Sequence, residues 1–245
     1  MELRGKTILI IGGSAGIGLA FAQQLCQKGN KVIIAGRDED KLKNAIKSLP
    51  TGNYEVADVT SAGDVQRLQA SIAKKYESLH MLINNAGKGN VYNLADGSDH
   101  FAKASAEIMT NYLGIVRLVD LFLPLLKQVP EGAIVNVSSV AAYVPSSSTP
   151  TYSASKAALH SYTLVLRHAL GKETSIKVFE VLPPLVNTEF SKDIHGERGM
   201  NPMDVAAEVM AGIEADRYEI RVGATEKVYR GFLASPEEAF SKRNP

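Results

Sequence analysis

Tyr152 and Lys156 stand four residues apart in the segment TYSASKAAL, residues 151–159. On a helix this spacing puts a phenol and an ammonium on the same face, where the positive charge can lower the phenol's pKa from its ordinary value of about 10. Such a phenol can exchange a proton with a hydroxyl/carbonyl pair. The alternative is an exposed helix face, because about 0.6 matches to Y-x-x-x-K arise by chance in a chain with nine tyrosines.

A serine upstream fits the same chemistry. Ser139 ends a predicted strand thirteen residues before Tyr152, where its hydroxyl could stabilise charge on a substrate oxygen. Ser138 should face the other way, because side chains alternate along a strand. The pair lacks the G-x-S-x-G turn of a hydrolase nucleophile. The five histidines show no metal-ligand spacing with acids or with Cys26, so no metal site is predicted.

A glycine-rich turn, GGSAGIGLA at residues 12–20, follows the first predicted strand and opens a helix. A helix N-terminus presents unpaired N–H groups and the positive end of a dipole, and glycines there let a pyrophosphate approach the backbone. The spacing Gly12-x-x-x-Gly16-x-Gly18 differs from the common G-x-G-x-x-G fingerprint. A plain turn is the alternative, but the position after the first strand favours a dinucleotide site.

The end of the second predicted strand indicates which dinucleotide is bound. Gly36 leaves room there, and Arg37 could pair with a 2′-phosphate through its guanidinium. Asp38 could instead hold a ribose hydroxyl, as a carboxylate near this point does in NAD-binding proteins. It falls where the next helix begins, however, and N-capping suits it better. The sequence therefore favours NADP over NAD.

The elements that must position these residues alternate along the chain. Strand-like runs are predicted at 7–12, 31–36, 54–59, 81–87, 133–139, 176–183 and 218–223, with helical patterns between them. The runs are apolar throughout, which is typical of parallel strands covered on both faces. The predicted fold is α/β, a doubly wound seven-stranded parallel sheet in one domain, 1–245. Two long helices, about 103–128 and 152–171, are either deeply buried or form a subunit interface.

Composition excludes several classes of protein. The chain has 245 residues, 45% hydrophobic and 22% charged, with a net charge of +1, so neither disorder nor a nucleic-acid partner is expected. One cysteine excludes an intramolecular disulfide. The opening MELRGKTILII is too short for a signal peptide, and LVDLFLPLL, broken by Asp120 and Pro124, is too short for a membrane span. A cytoplasmic protein without a membrane segment is predicted.

Four motifs occur in a fixed order, namely the glycine turn, Asn84-Asn85-Ala86-Gly87, Ser139 and Tyr152-x-x-x-Lys156. Together they resemble the short-chain dehydrogenase/reductase family over residues 7 to about 225. The resemblance implies a Rossmann-type fold, a nicotinamide cofactor and a homodimer or homotetramer paired through the long helices. It also implies a catalytic tetrad of Asn111, Ser139, Tyr152 and Lys156, with Asn111 holding a water in a proton relay.

The resemblance further implies a set of residues that contact the cofactor. Its members are Gly12, Ser14, Ala15, Gly16, Ile17, Gly18, Arg37, Asp58, Val59, Asn85, Ala86, Gly87, Tyr152, Lys156, Pro183, Val186 and Thr188. Two positions depart from the family's pattern, with Ile11 where Thr is usual and Pro184 where Gly is usual. Segments 183–188 and 221–230 are similar to one bacterial branch of the family.

The leading hypothesis is an NADP-dependent oxidoreductase that acts on a hydroxyl/carbonyl pair in a small or medium, mostly apolar molecule. Tyr152 would be its acid/base. A polar segment containing glycine, residues 189–203, is expected to be the substrate lid. The alternative from another class is a dinucleotide-sensing protein without turnover. A structural subunit assembled through the long helices would supplement the first hypothesis.

Overall fold

The computed structural model describes residues 1–97 and 99–245, and its strands form a single sheet. The strands are β1 (Thr7–Ile11), β2 (Lys31–Gly36), β3 (Gly52–Val56), β4 (Met81–Asn84), β5 (Ala133–Val137), β6 (Lys177–Leu182) and β7 (Glu219–Arg221). The described residues therefore confirm the predicted seven-stranded parallel sheet.

The sheet has the strand order β3-β2-β1-β4-β5-β6-β7, and every neighbouring pair is parallel. All five residues of β1 are buried, as expected for a strand covered on both faces. The chain order reverses between β1 and β4. In open α/β sheets the ligand crevice lies outside the carboxyl ends of the strands at such a switch point.

Helices cover both faces of the sheet. They are α1 (Gly16–Gln27), α2 (Glu39–Ile46), α3 (Ala62–Lys75), α4 (His100–Ile108), α5 (Gly114–Leu126), α6 (Pro150–Glu173), α7 (Pro202–Glu214), α8 (Thr225–Ala234) and α9 (Pro236–Arg243). Residues of α1, α2 and α7 form one apolar core with one sheet face, including the fully buried Phe21. Residues of α3, α5 and α6 form the second core on the other face, around Phe122.

The first of the two predicted long helices is not a regular α-helix. A π-helical segment, Met109–Leu113, lies between α4 and α5, and it contains Asn111. A wider turn of this kind inserts an extra residue into the helix, and it is frequently found at functional sites. The second long helix, predicted at 152–171, is continuous as α6 and starts with Pro150 at its first turn.

Most predicted strands are longer than the observed ones at their carboxyl ends. The clearest difference is the third, predicted at 54–59 and observed at Gly52–Val56. Residues such as Gly12, Asn85 and Ser139 lie beyond the strands, at the carboxyl edge of the sheet. The structure thus places the polar ends of these runs in loops at one edge of the sheet.

One stretch of the described residues, His100–Leu126, is long and apolar enough for a membrane span by length and composition. The segment LVDLFLPLL, predicted to be too short for a span, is the carboxyl-terminal part of this stretch. Here Leu118, Phe122 and Leu126 pack in the core against α3 and the sheet. Burial in a protein core accounts for their apolar character.

Candidate active site

The glycine turn between β1 and α1 is closed so tightly that side chains would not fit. Gly12 has φ +77°, and a Cβ there would lie 2.7 Å from the backbone of Ala86. A Cβ on Gly18 would lie 2.1 Å from the Gly12 carbonyl oxygen and 2.5 Å from Asn85 Nδ2. Both positions therefore require glycine for close backbone approach.

Hydrogen bonds from neighbouring strands hold this turn. Asn85 Nδ2 donates to the Gly12 carbonyl at 2.8 Å, and the Asn85 N–H donates to Ile11 O at 3.0 Å. The Gly12 N–H donates to Ala35 O at 2.7 Å. The turn is thus braced without the threonine that Ile11 replaces, and Ile11 itself is buried in the core.

The first turn of α1 is open to an anion. Ala15 is the N-cap residue, and no side chain within the described residues caps the helix there. The N–H groups that open an α-helix have no partner within the helix, so those of Gly16, Ile17 and Gly18 are available. Gly16 has φ +54°, and a Cβ on it would lie 3.0 Å from Thr188 Cγ2. The helix start and the segment after β6 thus face each other across a narrow gap.

The residues expected near the adenosine end lie around the ends of β2 and β3. Arg37 is exposed directly after Gly36, and a Cβ on Gly36 would lie 3.9 Å from Ser14 Oγ. Asp38 caps α2, because its Oδ1 accepts the Lys41 N–H at 3.0 Å, as predicted. Its carboxylate is therefore engaged with the helix.

Asp58 and Val59 follow β3 in a loop rather than a strand. The Asp58 carboxylate accepts hydrogen bonds from the N–H and hydroxyl of Thr60, at 2.8 and 2.7 Å, while its backbone N–H donates to Asp64. Val59 is buried, and its carbonyl accepts from Arg117 at 3.1 Å. These bonds fix the backbone of the loop next to the end of β2.

Tyr152 meets Ser139 at the carboxyl edge of the sheet. Ser139 follows β5, Tyr152 lies in the first turn of α6, and the Ser139 hydroxyl acts on the Tyr152 phenol in the direction of a lower pKa. Burial raises the pKa of Tyr152, with buried Glu107 acting in the same direction and with Ser139 and Arg243 opposing it. The net direction differs from the sequence prediction of a lowered pKa, because the cost of burying a phenolate outweighs the favourable contacts.

Lys156 lies one turn along α6 from Tyr152, with Nζ 5.7 Å from the centroid of the Tyr152 ring. Its ammonium is buried and donates to the Val137 carbonyl oxygen at 2.8 Å. Burial lowers the pKa of Lys156 to about 8, and the buried carboxylate of Glu180 partly opposes this. Tyr152 and Lys156 thus lie on the same face of α6, as the spacing predicted. Lys156 does not offset the effect of burial, which raises the pKa of Tyr152.

Asn111 connects the π-helical segment to α6 and to the loop after β4. Its Nδ2 donates to Lys88 O at 2.7 Å and to Ser155 Oγ at 2.8 Å, and its Oδ1 accepts the Lys88 N–H at 2.7 Å. A Cβ on Gly87 would lie 3.6 Å from Asn111 Oδ1 and 3.9 Å from Lys156 Nζ. Asn111 and Lys156 therefore border the same glycine.

The segment after β6 carries the remaining predicted cofactor residues. The Pro183 carbonyl accepts the Val140 N–H at 3.0 Å, Val186 is buried, and Thr188 caps the 3₁₀ helix Glu189–Ile194. Pro184 is accommodated with a trans peptide bond and packs near Gly223. This strand end is therefore tied to the loop that follows β5.

The segment predicted as a lid, 189–203, is folded back by two backbone hydrogen bonds that join Met200 to Leu185 and Asn187. Its Phe190 is 52% exposed and lies against the Tyr152 ring, with centroids 5.8 Å apart. A Cβ on Gly89 would lie 3.0 Å from the Phe190 ring. An aromatic side chain thus covers one side of Tyr152, which the polar character of the segment did not predict.

Two charged residues near the site were missed in the sequence. Glu180 stands in the otherwise apolar run 178–182 of β6 and is fully buried, and a charge within that run was a readable signal. Arg243 comes from the C-terminal end of α9 and acts electrostatically on Tyr152. No pattern in the sequence connects it to a residue 91 positions earlier.

A group of three side chains within the described ranges has ligand atoms within 4.8 Å of one another, namely His160, Glu180 and Glu219. The spacing of the histidines along the chain could not show this grouping. His160 Nδ1 is hydrogen-bonded to Glu180 at 2.8 Å, and Glu219 is ion-paired with Arg221. Each of the three side chains thus has a protein partner, and Glu180 Oε1 is the buried oxygen of the group that has no hydrogen-bond partner among the described residues.

A cavity of about 470 Å³ lies between residues 143–145 and the C-terminal helices α8 and α9. Its lining is mainly aromatic and proline side chains, including Phe232 and Phe240, and contains none of the four tetrad residues. The reacting groups therefore lie outside this cavity, and we assign the candidate site to the carboxyl edge of the sheet.

Comparison with known sequences gives a consistent family relationship. The model of the short chain dehydrogenase family matches residues 6–199. The uncharacterized oxidoreductase DltE of Bacillus subtilis is 35% identical over 249 residues, covering 100% of this chain and 98% of the relative. An uncharacterized oxidoreductase of Staphylococcus saprophyticus is 30% identical over 213 residues, covering 84% of this chain and 90% of its own.

Two solved structures have closely similar folds. A short chain dehydrogenase from Burkholderia cenocepacia in complex with NADP has a TM-score of 0.88 and 28% identity, covering 99% of each chain. A short chain dehydrogenase/reductase from Burkholderia phymatum in complex with NAD has a TM-score of 0.87 and 25% identity, covering 100% of this chain and 98% of the other. These proteins bind one or the other nicotinamide dinucleotide.

Proposed function

The chain belongs to the short-chain dehydrogenase family and is an NAD(P)-dependent oxidoreductase, and from this premise we propose that it prefers NADP and uses Tyr152 as its acid/base. The observation that carries the proposal is the buried ammonium of Lys156, which lies 5.7 Å from the centroid of the Tyr152 ring, with the Ser139 hydroxyl acting on the same phenol. The substrate is a hydroxyl/carbonyl pair in a small or medium molecule, mostly apolar where it contacts Phe190.

The residues present fit a dinucleotide. The uncapped start of α1 offers N–H groups to a diphosphate, and the contacts of Gly12 and Gly18 leave no space for side chains in the turn. Ser14, Ala15, Gly16 and Ile17 complete this turn. Asn85, Ala86 and Gly87 would border the dinucleotide after β4, and Pro183, Val186 and Thr188 would border it after β6. When bound, the cofactor supplies or accepts the hydride.

We propose NADP over NAD because Arg37 is exposed at the end of β2 while Asp38 is engaged as a helix cap. An exposed guanidinium favours a 2′-phosphate, whereas a carboxylate turned into its helix is poorly placed for a ribose hydroxyl. Asp58 and Val59 would border the adenine from the loop after β3.

The proton steps belong to residues of this chain. Ser139 would hold the substrate oxygen, and Tyr152 would give its proton to that oxygen as a hydride reaches the carbon. Burial raises the pKa of Tyr152 and so favours its protonated form, which suits reduction of a carbonyl. Lys156 would stabilise the phenolate that results, and Asn111 would hold the relay through its contacts with Ser155 and Lys88.

Assembly and location are part of the same proposal. Phe101 on α4 and Val165 on α6 are 85% and 66% exposed, and Leu164 beside Val165 is also exposed. Exposed apolar side chains on the long helices favour a homodimer, or a homotetramer, that pairs through these helices. We further propose a cytoplasmic protein whose chain, 1–245, forms one domain, with 189–203 as its substrate lid.

A cofactor titration tests the proposal most directly. NADPH and NADH would be titrated against the protein, and the better one then used with a panel of ketones and aldehydes. Tighter binding of NADPH and its oxidation with any carbonyl compound are expected. Tight binding without oxidation across the panel would favour the dinucleotide-sensing alternative.

A further inference from the structure

The C-terminal end of the chain is anchored next to Tyr152. Helix α9 ends at Arg243, and the adjacent Asn244 donates from Nδ2 to Pro145 O at 3.0 Å. The Ser147 N–H donates to Asn244 Oδ1 at 2.6 Å. Since residues 145–148 lead directly into α6, these bonds fix the last turn of α9 against the segment that precedes the helix of Tyr152.

Arg243 is held there with part of its guanidinium unpaired. Its Nε is fully buried and has no hydrogen-bond partner within the described residues. The neighbouring Lys242 is exposed to solvent and pairs with Glu238 at 3.3 Å, so the two adjacent cations have different environments. Buried guanidinium groups are normally paired, because an unpaired buried donor costs free energy.

The charges that act on the Tyr152 hydroxyl are one cation and one anion. The charge of Arg243 lowers the pKa of Tyr152, and the charge of Glu107 raises it. The Glu107 carboxylate already accepts hydrogen bonds from the backbone and side-chain amides of Asn90, at 2.7 and 2.9 Å, and from Thr151. Glu107 is therefore satisfied, while among the described residues Arg243 Nε has no hydrogen-bond partner.

We propose that Arg243 binds a carboxylate group of the substrate, so that the preferred substrates are oxo acids and the corresponding hydroxy acids. This inference rests on the proposed function of the same site. A planar guanidinium matches a carboxylate through paired N–H···O bonds. Arg243 is a single cation, and Glu107 is a buried acid near the same phenol. This charge balance suits a monoanion better than a doubly charged phosphate. Arg243 is thus a specificity-determining residue, whereas the proton comes from Tyr152.

The reaction leaves the bound carboxylate unchanged. A hydride is transferred from the reduced dinucleotide to the carbonyl carbon while the C=O π bond breaks, and the oxygen takes the Tyr152 proton. One C–H and one O–H bond form, the dinucleotide is oxidised, and solvent returns a proton to Tyr152. The oxo acid becomes a hydroxy acid.

The test compares acids with neutral esters of the same shape. The substrates are 2-oxobutanoate, 3-oxobutanoate and 4-oxopentanoate, each beside its methyl ester, because the chain length between carbonyl and carboxylate is open. The proteins are wild type, R243Q, R243K and the matched control K242Q, which removes a neighbouring exposed charge from the same helix. Thermal unfolding and cofactor binding are measured for every variant.

For at least one chain length, wild type is expected to prefer the acid over its ester by about tenfold or more in kcat/KM, the size of a charged hydrogen bond. R243Q should lose this preference, mainly through a higher KM for the acid, with cofactor binding retained. R243K should keep part of the preference, and K242Q all of it. A structural role alone would change unfolding but not the acid-to-ester ratio.

Three outcomes distinguish failure of the carboxylate inference from failure of the proposed function. Equal turnover of acids and esters by wild type overturns the carboxylate inference while the proposed oxidoreductase function stands, and this comparison needs no variant to fold. If wild type reduces none of these compounds but does reduce a neutral ketone or aldehyde of the panel, the carboxylate inference is overturned and the proposed function stands. If wild type reduces no carbonyl compound, the proposed function fails, and calorimetry with 2-hydroxybutanoate, 3-hydroxybutanoate and 4-hydroxypentanoate on the NADP-loaded protein decides the inference. Binding that R243Q loses supports it, and no binding overturns it.

Discussion

Lys156 Nζ donates a hydrogen bond to the carbonyl oxygen of Val137 at 2.8 Å, which ties the ammonium to the end of β5. The side chain is 3% exposed, and Glu180 is the carboxylate that acts on it electrostatically. The candidate catalytic lysine is therefore part of the packed edge of the sheet. Burial of its charge lowers the free energy of unfolding by an amount that can be measured.

This cost predicts how stability depends on pH. Burial lowers the pKa of Lys156 to about 8 from 10.5, so above pH 8 the unfolded chain holds this proton more tightly than the folded one. Stability of wild type relative to K156M should therefore rise between pH 8 and 10.5, by up to about 3 kcal/mol. Denaturant unfolding across this range measures the change.

The control for that experiment is K172M, which removes an exposed lysine from the same helix. Its difference from wild type should stay constant with pH, because that ammonium remains in water. A constant difference for K156M as well would contradict the buried-ammonium interpretation.

Removal of the Tyr152 hydroxyl should abolish turnover and leave the cofactor site intact. Y152F is expected to lose at least about 10²-fold in kcat, the usual contribution of a general acid. Dinucleotide affinity should be nearly unchanged, as measured by fluorescence titration.

Y162F is the matched control for Y152F, because Tyr162 lies on the same helix but packs in the core with Tyr112. It should keep its activity. Substantial activity in Y152F would exclude Tyr152 from the proton step.

The glycine turn should not tolerate a methyl group at position 18. A Cβ would lie 2.1 Å from the Gly12 carbonyl oxygen, so G18A is expected to lose about 2 kcal/mol of stability and most of its dinucleotide affinity. In contrast, G171A adds a methyl group in open space within α6 and should stabilise by about 0.5 kcal/mol. Unfolding curves that rank the two variants in the opposite order would be incompatible with this packing.

Preference for NADP should depend on Arg37. R37Q is expected to weaken NADPH binding by about tenfold or more, since it removes a charged hydrogen bond, and to leave NADH binding unchanged. R4Q serves as control, because Arg4 is exposed before β1, at the opposite edge of the sheet. Equal losses for both dinucleotides in R37Q would place the 2′-phosphate elsewhere.

Association through the long helices should be sensitive to charge on α6. V165D, at a side chain that is 66% exposed, is expected to shift a dimer or tetramer toward monomer in analytical ultracentrifugation. The control V56D changes a valine that is 49% exposed at the end of β3 and should not alter the assembly. A monomeric wild-type protein would contradict the proposed interface.

The parallel sheet followed from local pattern. Continuous apolar runs such as KVIIAG indicate strands covered on both faces, and the observed β2 has the predicted bounds. The cap at Asp38 was predictable for the same reason, since N-capping is decided within four residues. In other strands the carboxyl ends were wrong by one to three residues, because the side-chain pattern continues after the backbone has left the sheet.

The sequence by itself determined the family motifs and the helical spacing of Tyr152 and Lys156, because both depend on neighbours within a few residues along the chain. Only the tertiary structure decided the direction of the Tyr152 pKa, the tie between Lys156 and Val137, and the presence of Arg243 beside the site. Burial and charge act through space, and they depend on which distant segments the fold brings together.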